Sequence, residues 1–321
     1  DDPLLPSVVV IEPDRVIAGT PALRSMSRRP GRGVIGTKRL LGRSYWSPVV
    51  RRIEGQLPFR VVPGPRGEVA AESEGRTLAL EEVAAVLLRR AARNARADLG
   101  IPANRAILTC PAYYGARQRA ALALSGRLAG LHVPRVVSCS VAAAVHYAPE
   151  LGEGRNRLLV FDLGAGTLDV SVVEVEGGRF RTLAAGGHAL LGGIDFDAAV
   201  AQLLVVALEG AGRSARSGSQ GVSEVLDAAE GGKHALGETS RVQLPVSAEA
   251  AAEAAEGMSV EVARDDAEAL WATLVDKALS VARDVCRRAH VAPSELDEVL
   301  VTGRQARAPY VRRRLEEFFQ Q

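Results

Sequence analysis

Short apolar runs and longer stretches of helical periodicity divide the first third of the chain into segments. The opening segment PSVVVIEPDRVIAG contains two apolar runs separated by Pro13 and Asp14, which predicts two short strands joined by a turn. Residues 25–75 are rich in proline, glycine and arginine and are predicted to be irregular. From Leu80 to about Leu99, apolar residues recur at helical spacing, which predicts a helix.

Strands and helices are predicted to alternate in the middle of the chain. In order, the predicted elements are a strand at 105–110, a helix at 115–130, a strand at 134–138, a helix at 140–147 and strands at 157–162, 168–176 and 179–186. Short glycine-containing links separate the last three strands. We therefore expect those strands to be antiparallel neighbours.

The last part of the chain is predicted to continue this mixture. In order, the elements are a helix at 195–208, a helix at 222–236 interrupted by Gly231 and Gly232, strands at 241–247 and 258–263 flanking an Ala/Glu-rich helical insert, a long helix marked by Leu270 to Val285, a strand at 298–302 and a final helix. Strand–helix alternation combined with hairpins predicts α/β lobes with mixed sheets. A chain of 321 residues is long enough for two such lobes.

Composition and charge narrow the class of protein. The 40 Lys and Arg residues nearly balance the 38 Asp and Glu residues, so the net charge of +2 predicts neither a nucleic-acid nor a membrane partner. Cys110, Cys139 and Cys286 form no CxxC pair, which argues against a disulfide framework or a zinc site and suits a reducing cytoplasm. No apolar run approaches the ~18 residues of a membrane helix, and the first residues do not resemble a signal peptide. We predict a cytoplasmic protein.

The segment LLVFDLGAGTLDVSVVEVEGG, residues 158–178, places glycines directly after an apolar strand. Asp169 occupies the third glycine position of a GxGxxG dinucleotide fingerprint, and a strand rather than a helix follows. A P-loop is excluded because no Lys-Ser/Thr pair follows.

What remains is a β-hairpin whose turn amides face a phosphate, with Asp162 on one strand and Thr167 and Asp169 on the other. Carboxylates beside a phosphate require a cation, most simply Mg²⁺. Taken alone, a plain glycine hairpin explains the segment equally well.

The neighbouring sequence favours the phosphate-binding interpretation. DLGAGTLDVSVVEVEGGRF with GGHALLGGIDFD resembles the second phosphate-binding segment of the DnaK-like 70-kilodalton heat-shock protein chaperone family, within the actin-like ATPase superfamily. Four further stretches resemble that family in the required order: TKRLLGRSYWSPVV (37–50), ILTCPAYYGARQRAALALSGRLAGLHVPRVVSCSVAAAVHYA (107–148), LDAAEGGKHALGETSRVQLPV (226–246) and ELDEVLVTGRQARAPYVRRRLEEFF (295–319). The resemblance implies a nucleotide-binding domain with the two-lobed, ribonuclease H-like α/β fold of actin-like ATPases, built on mixed sheets.

The resemblance also implies a division into lobes. The expected parts are a first lobe at 1–151, with a peripheral subdomain at 1–79 and a core subdomain at 80–151, and a second lobe at 152–321, with a core subdomain at 152–192 and 291–321 and a peripheral subdomain at 193–290. Measured against the family, the chain is expected to be truncated at both ends. By resemblance, it would begin after the first phosphate loop and stop before the client-binding domain, so the first lobe is expected to be incomplete and its sheet to have open edges.

Family roles can be assigned to matching positions. In the family, ATP lies between the lobes and a water molecule attacks the γ-phosphate in line. By resemblance, Lys38 reaches the γ-phosphate, Asp162 orients or deprotonates the attacking water, and Thr167 lies near the γ-phosphate. Asp162 and Asp169 would hold Mg²⁺, mostly through water. The implied nucleotide-binding positions are Gly164, Ala165, Gly166, Gly192, Gly193, Glu230, Lys233, His234, Gly303, Arg304 and Arg307.

The adenosine positions and the interdomain pair follow from the same resemblance. Glu230 and Lys233 would contact the ribose, while His234 and Arg307 would flank the adenine. His234 stands where the family often carries an Arg or an aliphatic residue, so its adenine contact is left open. For Lys38, the alternative interpretation is that it is an ordinary surface lysine.

Pro111 and Arg119 match the family pair that passes the nucleotide state to the neighbouring domain. The alternative for Pro111 is that it only terminates a strand.

Three positions depart from the family pattern. Cys139 replaces a glutamate that helps to hold the Mg²⁺–water network, and a thiol is neither a hard oxygen ligand nor a fixed negative charge. Ala165 replaces a glycine and is tolerable if its φ angle is negative. Arg304 also replaces a glycine, and it either crowds the adenosine pocket or reaches over a phosphate. We therefore expect ATP hydrolysis by this chain to be slow or absent.

The resemblance implies a chaperone module that couples ATP binding and hydrolysis to protein folding. Its expected cofactors are ATP/ADP and Mg²⁺, and its expected partners are unfolded client proteins, co-chaperones and a nucleotide exchange factor. The alternative is a degenerate relative that hydrolyses little or no ATP and acts as a regulatory or scaffold module. A filament-forming or sugar-phosphorylating relative is disfavoured, because TCPAYYGARQR and AAEGGKHAL resemble the chaperones specifically.

Overall fold

The protein is described by a computed structural model that covers residues 5–28, 33–57, 59–210, 214–215, 219–246, 251–252 and 258–320. The chain forms two compact units. The first unit comprises Asp1–Cys110 and Tyr114–Val137, and the second comprises Pro111–Tyr113 and Ser138–Gln321. The lobe boundaries that we expect from the sequence resemblance stay a prediction.

The first unit is built from short sheets and four helices within its described part. Its elements are β1 (Val9–Ile11), β2 (Val16–Ala18), α1 (Thr20–Arg28), β3 (Gly33–Val34), α2 (Pro48–Ile53), β4 (Arg60–Pro63), β5 (Val69–Ser73), β6 (Arg76–Ala79), α3 (Leu80–Leu99), β7 (Leu108–Cys110), α4 (Ala116–Leu128) and β8 (Val136–Ser138), whose last residue joins the second unit. The strand orders are β2-β1-β3, β4-β5-β6 and β7-β8. The predicted strand pair around Pro13 and the predicted helix at 80–99 are confirmed.

The prediction that residues 25–75 are irregular is wrong. This stretch contains α2 and most of an antiparallel sheet, in which β4 pairs with β5 and β5 pairs with β6. Its described glycines lie largely between these elements, whereas Pro48 begins α2 and Pro63 ends β4. The apolar side chains of Val61, Ala70 and Ala71 are buried. The turn residues therefore mark the ends of short strands rather than a lack of strands.

The second unit is larger and contains one continuous central sheet. Its elements are α5 (Cys139–Tyr147), β9 (Arg155–Leu163), β10 (Leu168–Glu176), β11 (Arg179–His188), α6 (Gly193–Gly210), β12 (Ser214–Ala215), α7 (Ser219–Leu236), β13 (Arg241–Val246), β14 (Ala251–Ala252), β15 (Met258–Ala263), α8 (Arg264–Ala289), β16 (Glu298–Thr302) and α9 (Pro309–Phe319). Within the described ranges, no helix has both the length and the apolar character needed to cross a lipid bilayer.

The central sheet has the strand order β11-β10-β9-β16. The first three strands are antiparallel, as predicted, whereas β16 runs parallel to β9, so the sheet is mixed. On one face, Leu159 and Phe161 belong to a large core that includes buried residues of α6, α8 and α9. On the other face, Leu158 and Val160 pack with Ala144 of α5. Because helices cover both faces, the strand interiors are apolar on both sides.

Two further predictions about this unit need correction. The helix predicted at 222–236 is not interrupted at its glycines, because α7 continues to Leu236. A Cβ atom on Gly232 would lie 2.6 Å from Leu244 Cδ1, so glycine allows α7 to pack closely on β13 at a helix-propensity cost of about 0.5–1 kcal/mol. In the insert predicted to be helical, Ala251–Ala252 form β14, and residues 247–250 and 253–257 lie outside the described residues.

Candidate functional site

The turn between β9 and β10 is closed by its own backbone. Leu163 pairs with Leu168, and the Gly164 N–H donates a hydrogen bond to the Thr167 carbonyl at 3.1 Å. Ala165 is not among the described non-glycine residues with positive φ. This meets the condition under which an alanine can replace a glycine at that position.

Two carboxylates face each other beside this turn. Asp162 and Asp169 are directly opposed in the antiparallel register, so their side chains leave the sheet on the same face. Asp169 is only 3% exposed, and its Oδ2 accepts a hydrogen bond from the Ala112 N–H at 2.6 Å. Thr167 is 5% exposed. Two like charges held this close favour a cation between or beside them.

The donor chemistry of this pair fits Mg²⁺, which prefers carboxylate oxygens and keeps several water ligands. Among the described residues, no group of three or more His, Cys, Asp or Glu side chains is arranged to hold a metal ion. A Mg²⁺ ion held by Asp162 and Asp169 therefore requires water or phosphate oxygens as its other ligands.

The start of α6 is hydrogen-bonded to the turn. The N–H groups of Gly193 and Ile194 donate to the carbonyls of Gly164 and Ala165 at 3.0 and 2.8 Å. These N–H groups have no partner within α6 itself, so the turn satisfies them. A Cβ atom on Gly192 would lie 2.5 Å from the Gly166 carbonyl carbon. Gly192 thus allows the helix start and the turn to approach closely.

The segment after β16 lies against the same turn from another side. Thr302 is paired with Asp162, and Gly303 follows with φ +87°. A Cβ atom on Gly303 would lie 2.5 Å from the Leu163 carbonyl carbon and 2.7 Å from Asp162 Oδ1. The side chain of Gln305 is buried, and its Oε1 lies 3.3 Å from the position of a Cβ atom on Gly193. The second unit therefore brings together the turn, the α6 start and residues 303–305.

An ion pair connects α7 to the α6 start. Lys233 Nζ lies 2.6 Å from Asp197 Oδ1 and donates to the Gly193 carbonyl at 3.5 Å. Both side chains are largely buried. Burial raises the pKa of Asp197 above its ordinary value, and the nearby charge of Lys233 opposes that rise. Sequence analysis did not identify Asp197, whose partner lies on another helix.

The other predicted adenosine positions lie at the surface of the second unit. Glu230 and His234 are exposed on α7, one turn apart. Arg304 and Arg307 are exposed around the 3₁₀ turn Gln305–Arg307. These four side chains therefore have the accessibility that a ligand contact requires, and their assignments stay predictions.

The predicted residues of the first unit share one buried partner, Tyr114. Lys38 lies on the 3₁₀ turn Thr37–Arg39 with an exposed side chain, and its carbonyl accepts a hydrogen bond from the Tyr114 hydroxyl at 2.5 Å. Arg119 on α4 donates to the Tyr114 carbonyl at 2.9 Å. Sequence analysis missed Tyr114, although its position three residues after Pro111 was an available signal.

The segment Pro111–Tyr113 belongs to the second unit. Pro111 is buried and directly precedes Ala112, whose N–H binds Asp169. The predicted switch proline is thus the sequence neighbour of Ala112, whose N–H donates a hydrogen bond to Asp169, a predicted Mg²⁺ ligand. Sequence analysis did not identify this link, because the contact uses a backbone group of Ala112.

Cys139 is the first residue of α5 and is half-buried. The preceding Ser138 caps this helix, and its Oγ accepts a hydrogen bond from the Val141 N–H at 3.3 Å. Because α5 packs on the sheet face that carries Val160, and Asp162 alternates onto the same face, the start of α5 and the carboxylate pair occupy one side of the sheet.

Comparisons with known proteins identify relatives along nearly the whole chain. The family model described as Hsp70 protein matches residues 2–321. The chain is 33% identical over 319 residues to the mitochondrial heat shock 70 kDa protein of Solanum tuberosum, covering 98% of this chain and 46% of that protein. The corresponding protein of Pisum sativum is 32% identical over 319 residues, with 98% of this chain and 47% of that protein covered. The chaperone protein DnaK of Psychrobacter cryohalolentis is 31% identical over 324 residues, with 98% and 50% covered. The chain thus spans about half the length of the curated relatives that it matches.

Proposed function

Because the chain belongs to the Hsp70 family, we propose that it binds ATP and ADP with Mg²⁺ and couples ATP binding and hydrolysis to protein folding. The observation that carries this proposal is the convergence of the 164–167 turn, the Gly192–Gly193 helix start and the Gly303–Gln305 segment. All three segments contain glycines, which leave no Cβ atom in the way, and close backbone approach is what a phosphate-binding cradle needs.

The roles that we propose for the site residues are those implied by the family resemblance. The backbone of residues 164–167 would bind phosphate oxygens, and Asp162 would orient the attacking water or accept its proton. Lys38 would place a positive charge at the γ-phosphate. Bound Mg²⁺ would neutralise phosphate charge. Thr167 and Asp169 are held in place by burial and by the Ala112 N–H, so little reorganisation would be needed on binding.

The proposed partners are unfolded client proteins, co-chaperones and a nucleotide exchange factor. The names of the relatives, heat shock 70 kDa protein and DnaK, support a chaperone role. A cytoplasmic location stays a prediction, because two of the relatives are named as mitochondrial proteins.

A second candidate is a relative that binds nucleotide but hydrolyses it slowly, and Cys139 is the observation that favours it. The thiol at the start of α5 lies on the same side of the sheet as the carboxylate pair. By resemblance, a glutamate at this position helps to hold the metal–water network. A thiol lacks the oxygen ligand and the fixed charge for that task.

Replacing Cys139 with glutamate is expected to raise the single-turnover rate of ATP hydrolysis by about 10–100-fold, since outer-shell carboxylates typically change metal-site activity by that factor. Cys139→Gln is the matched control, because it adds the same side-chain length without the charge, and it should leave the rate near that of the parent chain. Asp162→Asn in the Cys139→Glu background should remove the gain while ADP still binds in isothermal titration. A folded chain that binds neither ATP nor ADP at millimolar concentration would contradict the proposed function.

Substitution of Arg304 tests whether this residue contacts the phosphates or the adenosine of a bound nucleotide. Arg304 is exposed and follows Gly303, which adjoins Asp162, and we propose that its side chain reaches over a phosphate rather than crowding the adenosine pocket. Arg304→Gln should weaken ADP binding by about threefold to tenfold, the range of one exposed charge-assisted contact, and should leave adenosine affinity unchanged. If adenosine binding strengthens instead in Arg304→Gly, the arginine crowds the adenosine pocket.

A further inference from the structure

The small net charge of the whole chain conceals a large asymmetry. Residues 1–137 contain 22 Lys and Arg residues against 11 Asp and Glu residues, a net charge of +11. Residues 138–321 contain 18 Lys and Arg residues against 27 Asp and Glu residues, a net charge of −9. The two stretches differ from the compact units only by residues 111–113, which carry no charge. The first unit is therefore strongly basic, and the second is acidic.

The positive charge of the first unit is concentrated around α3 and α4. Residues 83–149 contain nine arginines and a single acidic residue, Asp98. On α3, the exposed Arg89, Arg93 and Arg96 lie within about 60° of one another around the helix axis, and the exposed Arg90 borders them. We call the surface formed by these four arginines the arginine face. Like charges at three- and four-residue spacing destabilise a helix by about 0.2–0.5 kcal/mol per pair, so this face costs stability unless an anion lies on it.

Little within the described chain neutralises this face. Arg90, Arg93 and Arg96 take part in no ion pair among the described residues. Arg89 uses its guanidinium to donate to the Leu128 carbonyl at 2.7 Å, which places the C-terminus of α4 beside the middle of α3. The arginine face therefore presents positive charge that is available to another molecule.

Exposed aliphatic side chains accompany the arginines. Leu99 at the end of α3 is 66% exposed, Ile101 just beyond it is 61% exposed, and Leu128 is 43% exposed. Arginine beside apolar surface is the composition that protein–protein interfaces favour. Neither α3 nor α4 contains an aromatic residue on which a nucleic-acid base could stack. The surface therefore suits a polypeptide better than a nucleic acid.

We propose that the arginine face, with Leu99, Ile101 and Leu128, is a docking surface for an acidic segment of a partner protein that also carries aliphatic side chains. Carboxylates of such a segment would pair with Arg93 and Arg96, while its aliphatic groups would cover the exposed leucines and isoleucine. None of the proposed nucleotide-binding residues lies on α3, so the proposal is independent of the nucleotide site.

The test measures binding of a fluorescent peptide of about 16 residues, in which glutamates and leucines alternate at helical spacing, by anisotropy at low salt. We expect the double variant Arg93→Glu/Arg96→Glu to lower the affinity by about tenfold or more, since two attractive pairs become repulsive. The matched control Arg24→Glu/Arg52→Glu changes the charge of the same unit by the same amount on α1 and α2, and it should lower the affinity less than about twofold. Unchanged ADP affinity and circular dichroism would show that each variant is folded.

Several outcomes would overturn the proposal. These are an equal loss of affinity in both double variants, equal binding of a peptide with lysines in place of glutamates, and absence of peptide binding by the parent chain. A single-stranded RNA or duplex DNA of about the same length that binds more tightly than the peptide would assign the face to nucleic acid instead. Concentration-dependent association of the chain alone in sedimentation velocity, abolished by Arg93→Glu/Arg96→Glu, would assign it to the acidic unit of a second copy.

Discussion

Gly303→Ala is expected to lower the free energy of unfolding by about 2–4 kcal/mol and to weaken ADP binding by about tenfold or more. Left-handed backbone costs an alanine about 1–2 kcal/mol. The remainder comes from the collision of the new Cβ atom with the Leu163 carbonyl group and Asp162 Oδ1, and such overpacking typically costs about 1–3 kcal/mol. Relief of the collision displaces Asp162 and the adjoining turn, so affinity falls together with stability. Urea unfolding and isothermal titration measure the two effects.

Gly178→Ala is the matched control for backbone strain. Gly178 lies in the same unit with φ +73°, and a Cβ atom there would meet no heavy atom within 4 Å. This variant should show only the cost of the left-handed backbone, about 1–2 kcal/mol, and no loss of ADP affinity. Equal effects of the two substitutions on stability and affinity would show that the close approach of Gly303 to Asp162 is unimportant.

Lys233→Met is expected to lower the free energy of unfolding by about 3 kcal/mol near neutral pH. The substitution keeps an unbranched chain but removes the charge that faces Asp197, and an unpaired buried carboxylate costs about 3–5 kcal/mol. Arg241→Met is the control, because Arg241 and Glu261 form an exposed ion pair in the same unit and its loss should cost less than about 1 kcal/mol.

The Lys233→Met deficit should depend on pH in a defined direction. Burial raises the pKa of Asp197 in the folded protein, and removal of the opposing Lys233 charge raises it further. As pH falls, the folded state therefore binds the proton before the unfolded state does, and the cost of the buried charge disappears. The deficit should shrink as the pH is lowered from neutral into the acid range, and Asp197→Asn should restore part of the lost stability. A deficit that is constant over this range and unaffected by Asp197→Asn would exclude the unpaired carboxylate as its cause.

Much of the second unit was predictable from local patterns. The fold class, an α/β actin-like ATPase fold with mixed sheets, is confirmed by the family match and the strand order. The strands predicted at 157–162, 168–176 and 179–186 correspond to β9, β10 and β11, because alternation and short links specify an antiparallel meander. The helix predicted at 222–236 is confirmed, but its interruption at Gly231 and Gly232 and the irregular structure predicted for 25–75 are wrong, because the packing of buried apolar positions outweighs the local preferences of Pro and Gly.

The contacts that organise the site were not predictable in the same way. The Ala112 N–H and Asp169 are 57 residues apart, and the donor is a backbone group that every residue except proline possesses. Asp197 and Lys233 meet only because α6 and α7 pack together. The family resemblance assigns Gly192 and Gly303 to the nucleotide site, but the atoms that approach these glycines depend on tertiary structure.

The hydrogen bonds between the 164–167 turn and the first residues of α6 have a mechanical consequence. Because the turn accepts hydrogen bonds from the Gly193 and Ile194 N–H groups, a shift of the turn must either carry the first residues of α6 with it or break those bonds. Phe196, Val200 and Leu204 anchor α6 in the large core of the second unit, so such a shift meets resistance from the core packing. The turn is thereby held more firmly than its two hairpin strands alone would hold it.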